Sequence, residues 1–149
     1  MNLRLTLSLA VLAGALALAG TAVSGYLVIE NLQGDTGVCV GVHGCAEVQN
    51  SRYGKILGVP LSVPGVLLYG ALIVLAFAWY RNVAGYRPEV ALLGFLGALG
   101  GFLMSGYLTY LEAFVLDAWC SYCIVSALLM SALLVIWATI LALTMREPA

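Results

Sequence analysis

The chain of 149 residues is 63% hydrophobic and 9% charged, with six Lys/Arg against seven Asp/Glu and a mean hydropathy of +1.06. That much apolar surface exceeds what a water-soluble domain of this length can bury, so the chain is an integral membrane protein. No basic cluster suits nucleic acid and a single histidine excludes a His-rich metal centre, which leaves Cys39, Cys45, Cys120 and Cys123 as the residues with redox or metal-binding potential.

A membrane-spanning helix needs about 20 apolar residues, and four runs reach that length. The first covers residues 5–29. Its basic start and the A-x-A-like site at Ala17 to Ala19 also fit a cleaved signal peptide, but the apolar run continues through Tyr26 to Ile29 and suits a span better. Residues 30–62 form a long polar connection containing Cys39 and Cys45, made pliable by Gly37, Gly41 and Gly44. Within it "AEVQNSRYG" is expected to form a short surface helix, with Gly58 and Pro60 closing the loop.

The second span covers residues 63–80 and is followed by a short basic link, "RNVAGYRPE". The third covers 90–114, and only "VLD" separates it from the fourth, 118–145. Gly97 and Gly101 in the third span have G-x-x-x-G spacing, with Ser105 four residues on, and read as helix-packing positions. Trp79, Tyr80 and Trp119 fall near span ends and read as interfacial anchors. The expected architecture is all-α: one four-helix membrane domain over residues 1–149, with a long loop between helices 1 and 2.

Loop charges set the orientation. With the N-terminus cytoplasmic, Arg4, Arg81, Arg87 and Arg146 lie inside. Arg52 and Lys55 lie outside, diluted by Glu30, Asp35 and Glu47. This follows the positive-inside rule, and the reverse orientation breaks it. Both termini are then cytoplasmic, all four cysteines face the extracytoplasmic side of the inner (plasma) membrane, and signal cleavage would not change the side of the cysteine loop.

Asp117 reads as the N-cap of helix 4, which puts Cys120 in its first turn, where the helix dipole favours thiolate. Cys123 lies three residues on, about 4.5 Å deeper along the axis. One sulfur is then expected to face water and the other the lipid interior, a geometry suited to passing electrons from a soluble thiol to a membrane-soluble oxidant. Two dithiol pairs on one face permit sequential thiol–disulfide exchange. Two structural disulfides, or a zinc site built from four thiolates, are the alternatives, though the Cys39–Cys45 spacing is wider than zinc sites use. Ile124 after Cys123 excludes c-type haem attachment. His43 in the loop reads as a solvated residue, and Glu112 and Asp117 read as interfacial solvated or capping residues, although either carboxylate could relay protons.

Taken together, Cys39 and Cys45, the following "AEVQNS" ending at Ser51, Tyr53–Gly54, "GVPLSVPG" from Gly58 to Gly65, Tyr69, and "CSYC" from Cys120 to Cys123 resemble a bacterial or archaeal member of the vitamin K epoxide reductase family. The resemblance runs over nearly the whole chain. It implies that Cys120 and Cys123 are the redox centre, with Cys123 beside a quinone of ubiquinone or menaquinone type. It further implies that Cys39 and Cys45 shuttle electrons, Cys39 exchanging with a partner and Cys45 with Cys120. Ser51 matches a residue at the quinone end of the loop, where a serine also serves local hydrogen bonding. The vertebrate pattern has an Asn where Leu61 stands and a Tyr where Ala127 stands, which speaks against epoxide reduction. Many bacterial relatives carry a fused thioredoxin-like domain; here a separate extracytoplasmic thioredoxin-like protein is expected to supply the thiols.

The expected function is therefore a quinone-dependent thiol–disulfide oxidoreductase that supports disulfide bond formation. A protein like disulfide-bond formation protein B places its Cys-x-x-Cys in the first outer loop, whereas here that pair comes last. A non-enzymatic metal-binding or structural membrane protein is the rival from another class.

Overall fold

The computed structural model describes residues 3–33, 52, 55–82, 85–117 and 119–146. Each apolar run forms one helix: α1 Leu3–Gln33, α2 Ser62–Arg81, α3 Arg87–Phe114 and α4 Ser121–Met145. Helices satisfy every interior backbone N–H and C=O within the segment, as the water-free core of a bilayer requires. All four are long and apolar enough to cross a membrane. The 31 residues of α1 run unbroken through Ala17 and Ala19, a length of about 46 Å at 1.5 Å per residue.

Around the bundle α1 packs on α2, α2 on α3, α3 on α4 and α4 back on α1. The core sets large residues against small ones. Trp79, Tyr69 and Leu72 of α2 and Trp137, Leu133 and Ile140 of α4 meet Ala10, Ala13 and Ala17 of α1 and Ala91 and Ala98 of α3. Leu18, Leu67, Val74, Phe77, Leu103, Leu128 and Val135 point outward, where lipid replaces water as the surrounding solvent.

Glycines govern the closest approaches. A Cβ on Gly94 would lie 2.3 Å from the Trp137 ring, and one on Gly101 2.7 Å from the end of Met130. Gly97, the other half of the G-x-x-x-G spacing, makes only ordinary contact with Leu72 and Leu68. The tightest pair on α3 is therefore Gly94 and Gly101, two helical turns apart. On α1, a Cβ on Gly20 would fall 2.2 Å from the Tyr69 ring. Gly20 thus lets that ring lie flat on α1.

The connections depart from expectation in two places. Trp79 is fully buried, not an interfacial anchor. Its indole lies 4.7 Å beneath the Arg87 guanidinium, and Arg87 Nε donates to the Trp79 carbonyl at 3.4 Å, so the start of α3 clamps the end of α2. Tyr80 and Trp119 are exposed, as anchors should be. Before α2, Lys55–Ile56 (β1) and Val59–Pro60 (β2) form a two-stranded antiparallel hairpin in a place read as plain loop. Leu57 and Gly58 between them have φ of 52° and 82°, the paired left-handed conformation whose twist matches a two-residue hairpin.

Candidate redox site

The site forms where α3 hands over to α4. Val115 and Leu116 both donate their N–H to the Leu111 carbonyl, at 3.0 and 2.8 Å, and close α3. Asp117 then takes a left-handed φ of 47° and turns the chain back. Asp117 is exposed and does not cap α4. The N-cap is Cys120, in extended conformation, whose carbonyl accepts the N–H of Ile124 at 3.0 Å. The helix starts later than its apolar run suggests because the left-handed turn at Asp117 takes up the residues ahead of it.

Cys120 was expected to meet water and instead is fully buried, packed against Leu116, Tyr122 and Cys123. Its N–H, which the helix cannot satisfy, donates to Glu112 Oε2 at 3.3 Å. The thiols of Cys120 and Cys123 are free. A hydrogen bond from Cys123 holds the Cys120 thiol below its ordinary value, reinforced by the amides of Cys123 and Tyr122 and opposed by burial and by the Glu112 charge. This is the electrostatic bias expected for a cysteine at a helix N-terminus within a Cys-x-x-Cys pair.

Glu112, read from sequence as a solvated interfacial carboxylate, is only 1% exposed. Oε2 takes the Cys120 N–H, the side chain lies within interacting range of the Cys123 thiol, and Oε1 has no partner. An unpaired, buried carboxylate oxygen is costly, and in native proteins such groups concentrate where chemistry needs them.

Cys123 also forms part of the wall of a half-open cavity of about 170 Å³ lined by all four helices and the Pro60–Leu61 link. The walls are mostly apolar, with Leu27 of α1, Leu68 of α2, Leu108 of α3 and Met130 of α4 among them. Six hydroxyl-bearing residues border it: Ser24, Ser62, Tyr69, Ser105, Tyr122 and Ser126. Ser62 Oγ is buried without a partner, while the Tyr69 hydroxyl is 2.8 Å from Ser126 Oγ and 3.1 Å from the Ser126 carbonyl, to which it donates. Engineered apolar cavities of roughly 150 Å³ hold benzene, so one six-membered ring fits this space.

Ser62 and Ser126 were not singled out from the sequence, and Tyr69 was noted only as part of a motif. One signal was available: Ser126 lies three residues after Cys123, on the same helical face. Leu61, at the place of the vertebrate Asn, borders the cavity, whereas Ser126 and not Ala127 faces it from α4. Cys39, Cys45, His43 and Ser51 lie outside the described residues, as does the expected surface helix apart from Arg52.

Residues 11–138 match the family model described as "Vitamin K epoxide reductase family". The chain is 31% identical over 111 residues to "Thiol-disulfide oxidoreductase LTO1" of Arabidopsis thaliana, a match that covers 70% of this chain and 29% of that protein. The chain thus spans less than a third of the curated relative's length.

Proposed function

The chain belongs to the vitamin K epoxide reductase family, and from that premise we propose that it is a membrane thiol–disulfide oxidoreductase in which Cys120 and Cys123 deliver electrons to a quinone. The observation that carries this reading is the position of Cys123, which joins a buried partner thiol on one side and a ring-sized apolar cavity on the other.

A bound quinone would supply an acceptor for two electrons and two protons. The chain's own residues suit such a headgroup. The orphaned Ser62 hydroxyl is a ready donor for a carbonyl oxygen, the paired Tyr69 and Ser126 hydroxyls offer a second polar spot, and the apolar walls exclude water. When the two thiols become one disulfide they release two electrons and two protons, which matches that demand. Cys120, biased toward thiolate, is the group suited to attack the Cys123 sulfur and close the bond.

Upstream, Cys39 and Cys45 receive electrons from a separate thioredoxin-like protein outside the cytoplasm and pass them to Cys120, with Ser51 near the quinone end of that loop. The net result is disulfide bonds made in secreted proteins, with the acceptor drawn from the ubiquinone or menaquinone pool. The similarity to the Arabidopsis thiol-disulfide oxidoreductase supports this chemistry.

The test is quinone consumption by the purified full chain with a reduced thioredoxin-like protein as electron donor. The parent chain is expected to turn over, and Cys120→Ser or Cys123→Ser to abolish turnover. Undiminished quinone reduction by either variant refutes the assignment.

A further inference from the structure

We propose that Glu112 is the base that takes the Cys123 proton as the dithiol is oxidised, an assignment that rests on the quinone-linked reading above. Three observations converge on it. The carboxylate is buried at 1% exposure. Its Oε2 is fixed by the Cys120 N–H at 3.3 Å, which orients the group toward the start of α4. Its Oε1 lacks a partner while the side chain meets the Cys123 thiol, the sulfur that borders the cavity.

The physical argument concerns charge in a medium of low dielectric. Losing the Cys123 proton to solvent would leave three negative charges, on Cys120, Cys123 and Glu112, close together where little solvent can screen them, a costly arrangement. Moving the Cys123 proton onto Glu112 avoids that increase. One carboxylate becomes neutral as one thiol becomes a thiolate, so the number of buried charges stays constant.

In the balanced step Cys123 loses its proton to Glu112, the Cys120 thiolate bonds to the Cys123 sulfur, and two electrons pass to the quinone. Of the two protons that a bound quinone would require, one is the proton held on Glu112 and the other, lost earlier from Cys120, comes from water. Reduction of the disulfide by the loop thiols then restores the starting state.

Among the described residues, other ionisable side chains at this end of the bundle have different surroundings. Tyr26 and Glu30 of α1 bond each other, the Tyr26 ring lies 5.4 Å from that of Tyr122, and Asp117 is exposed on the α3–α4 link. Among the described residues, the groups that act on Glu112 are the Cys120 N–H and the Cys123 thiol.

The experiment uses the full chain with Cys39 and Cys45 changed to serine, so that Cys120 and Cys123 are the only thiols. Thiolate ultraviolet absorbance is followed against pH, and oxidation of the reduced pair by a short-chain quinone is followed in a single turnover. Glu112→Gln keeps an oxygen for the Cys120 N–H but cannot hold the proton. It is expected to let thiolate appear at lower pH, because a neighbouring negative charge is gone, and yet to slow oxidation by about 100-fold, a typical loss for a missing general base. Glu112→Asp is expected to recover part of the rate.

Thiolate and rate moving in opposite directions is the signature, since a carboxylate that acted only by charge or packing would yield faster oxidation as thiolate became easier to form. Oxidation of the Gln variant at or above the parent rate overturns the role of Glu112 and leaves the quinone reading standing. A parent pair that no quinone oxidises overturns both.

Discussion

Cys120 occupies two roles that ordinarily fall to different residues: it caps a helix and it carries a reactive thiol. Because it is the cap, its own N–H is free to reach Glu112, and because it is a cysteine in a Cys-x-x-Cys pair, its sulfur receives the Cys123 hydrogen bond. That bond is the largest influence lowering the Cys120 thiol, so it sets a clear direction for a test. With Cys39 and Cys45 as serine, Cys123→Ala removes the donor and should move thiolate formation at Cys120 to higher pH, read by ultraviolet absorbance. Cys123→Ser keeps a donor and should move it less. The sign follows from the cause, since a donor to sulfur favours the charged form and its loss disfavours it. The Cys-x-x-Cys pair was plain in the sequence. The burial of Glu112 was not, because α3 is apolar nearly all round and lacks the alternation of polar and apolar faces that shows which side of a soluble helix turns inward.

Hydropathy alone located all four helices, and their ends moved by only a few residues. What it missed were features set by backbone conformation. The Leu57–Gly58 hairpin and the left-handed Asp117 depend on local φ, and neither Leu nor Asp announces that state strongly. Packing was partly legible: G-x-x-x-G spacing pointed to the correct face of α3, yet the tight partner of Gly101 is Gly94, chosen by where Trp137 happens to project. Gly94→Ala therefore pushes a methyl group into a buried, rigid indole and should cost about 1–3 kcal/mol of stability. Gly100→Ala meets no atom within 4 Å and should leave stability unchanged or slightly raised by its better helix propensity. Thermal unfolding in detergent of the two variants side by side checks the contrast, and equal effects would refute this account of the α3–α4 contact.

At the scale of the molecule, helix order sends Arg4, Arg81, Arg87 and Arg146 to one end of the bundle and Glu112, Cys120 and the hairpin to the other. This separation underlies the proposed orientation, since loop arginines favour the cytoplasmic side. Two exposed positions at opposite ends provide the test in a chain otherwise without cysteine. Leu32→Cys should react with a membrane-impermeant maleimide in intact cells, and Asn82→Cys only after the membrane is opened. The reverse pattern would place the dithiol in the reducing cytosol and undo the electron route.

The cavity beside Cys123 has a structural meaning apart from electron transfer. Since every helix contributes to its wall, a guest held there acts as a keystone, touching all four members of the arch at once. Ligands that prefer the assembled form raise its resistance to unfolding by mass action. The durability of this small bundle would then depend partly on the lipid pool around it, and a membrane depleted of suitable guests would slacken the fold as well as idle the thiols.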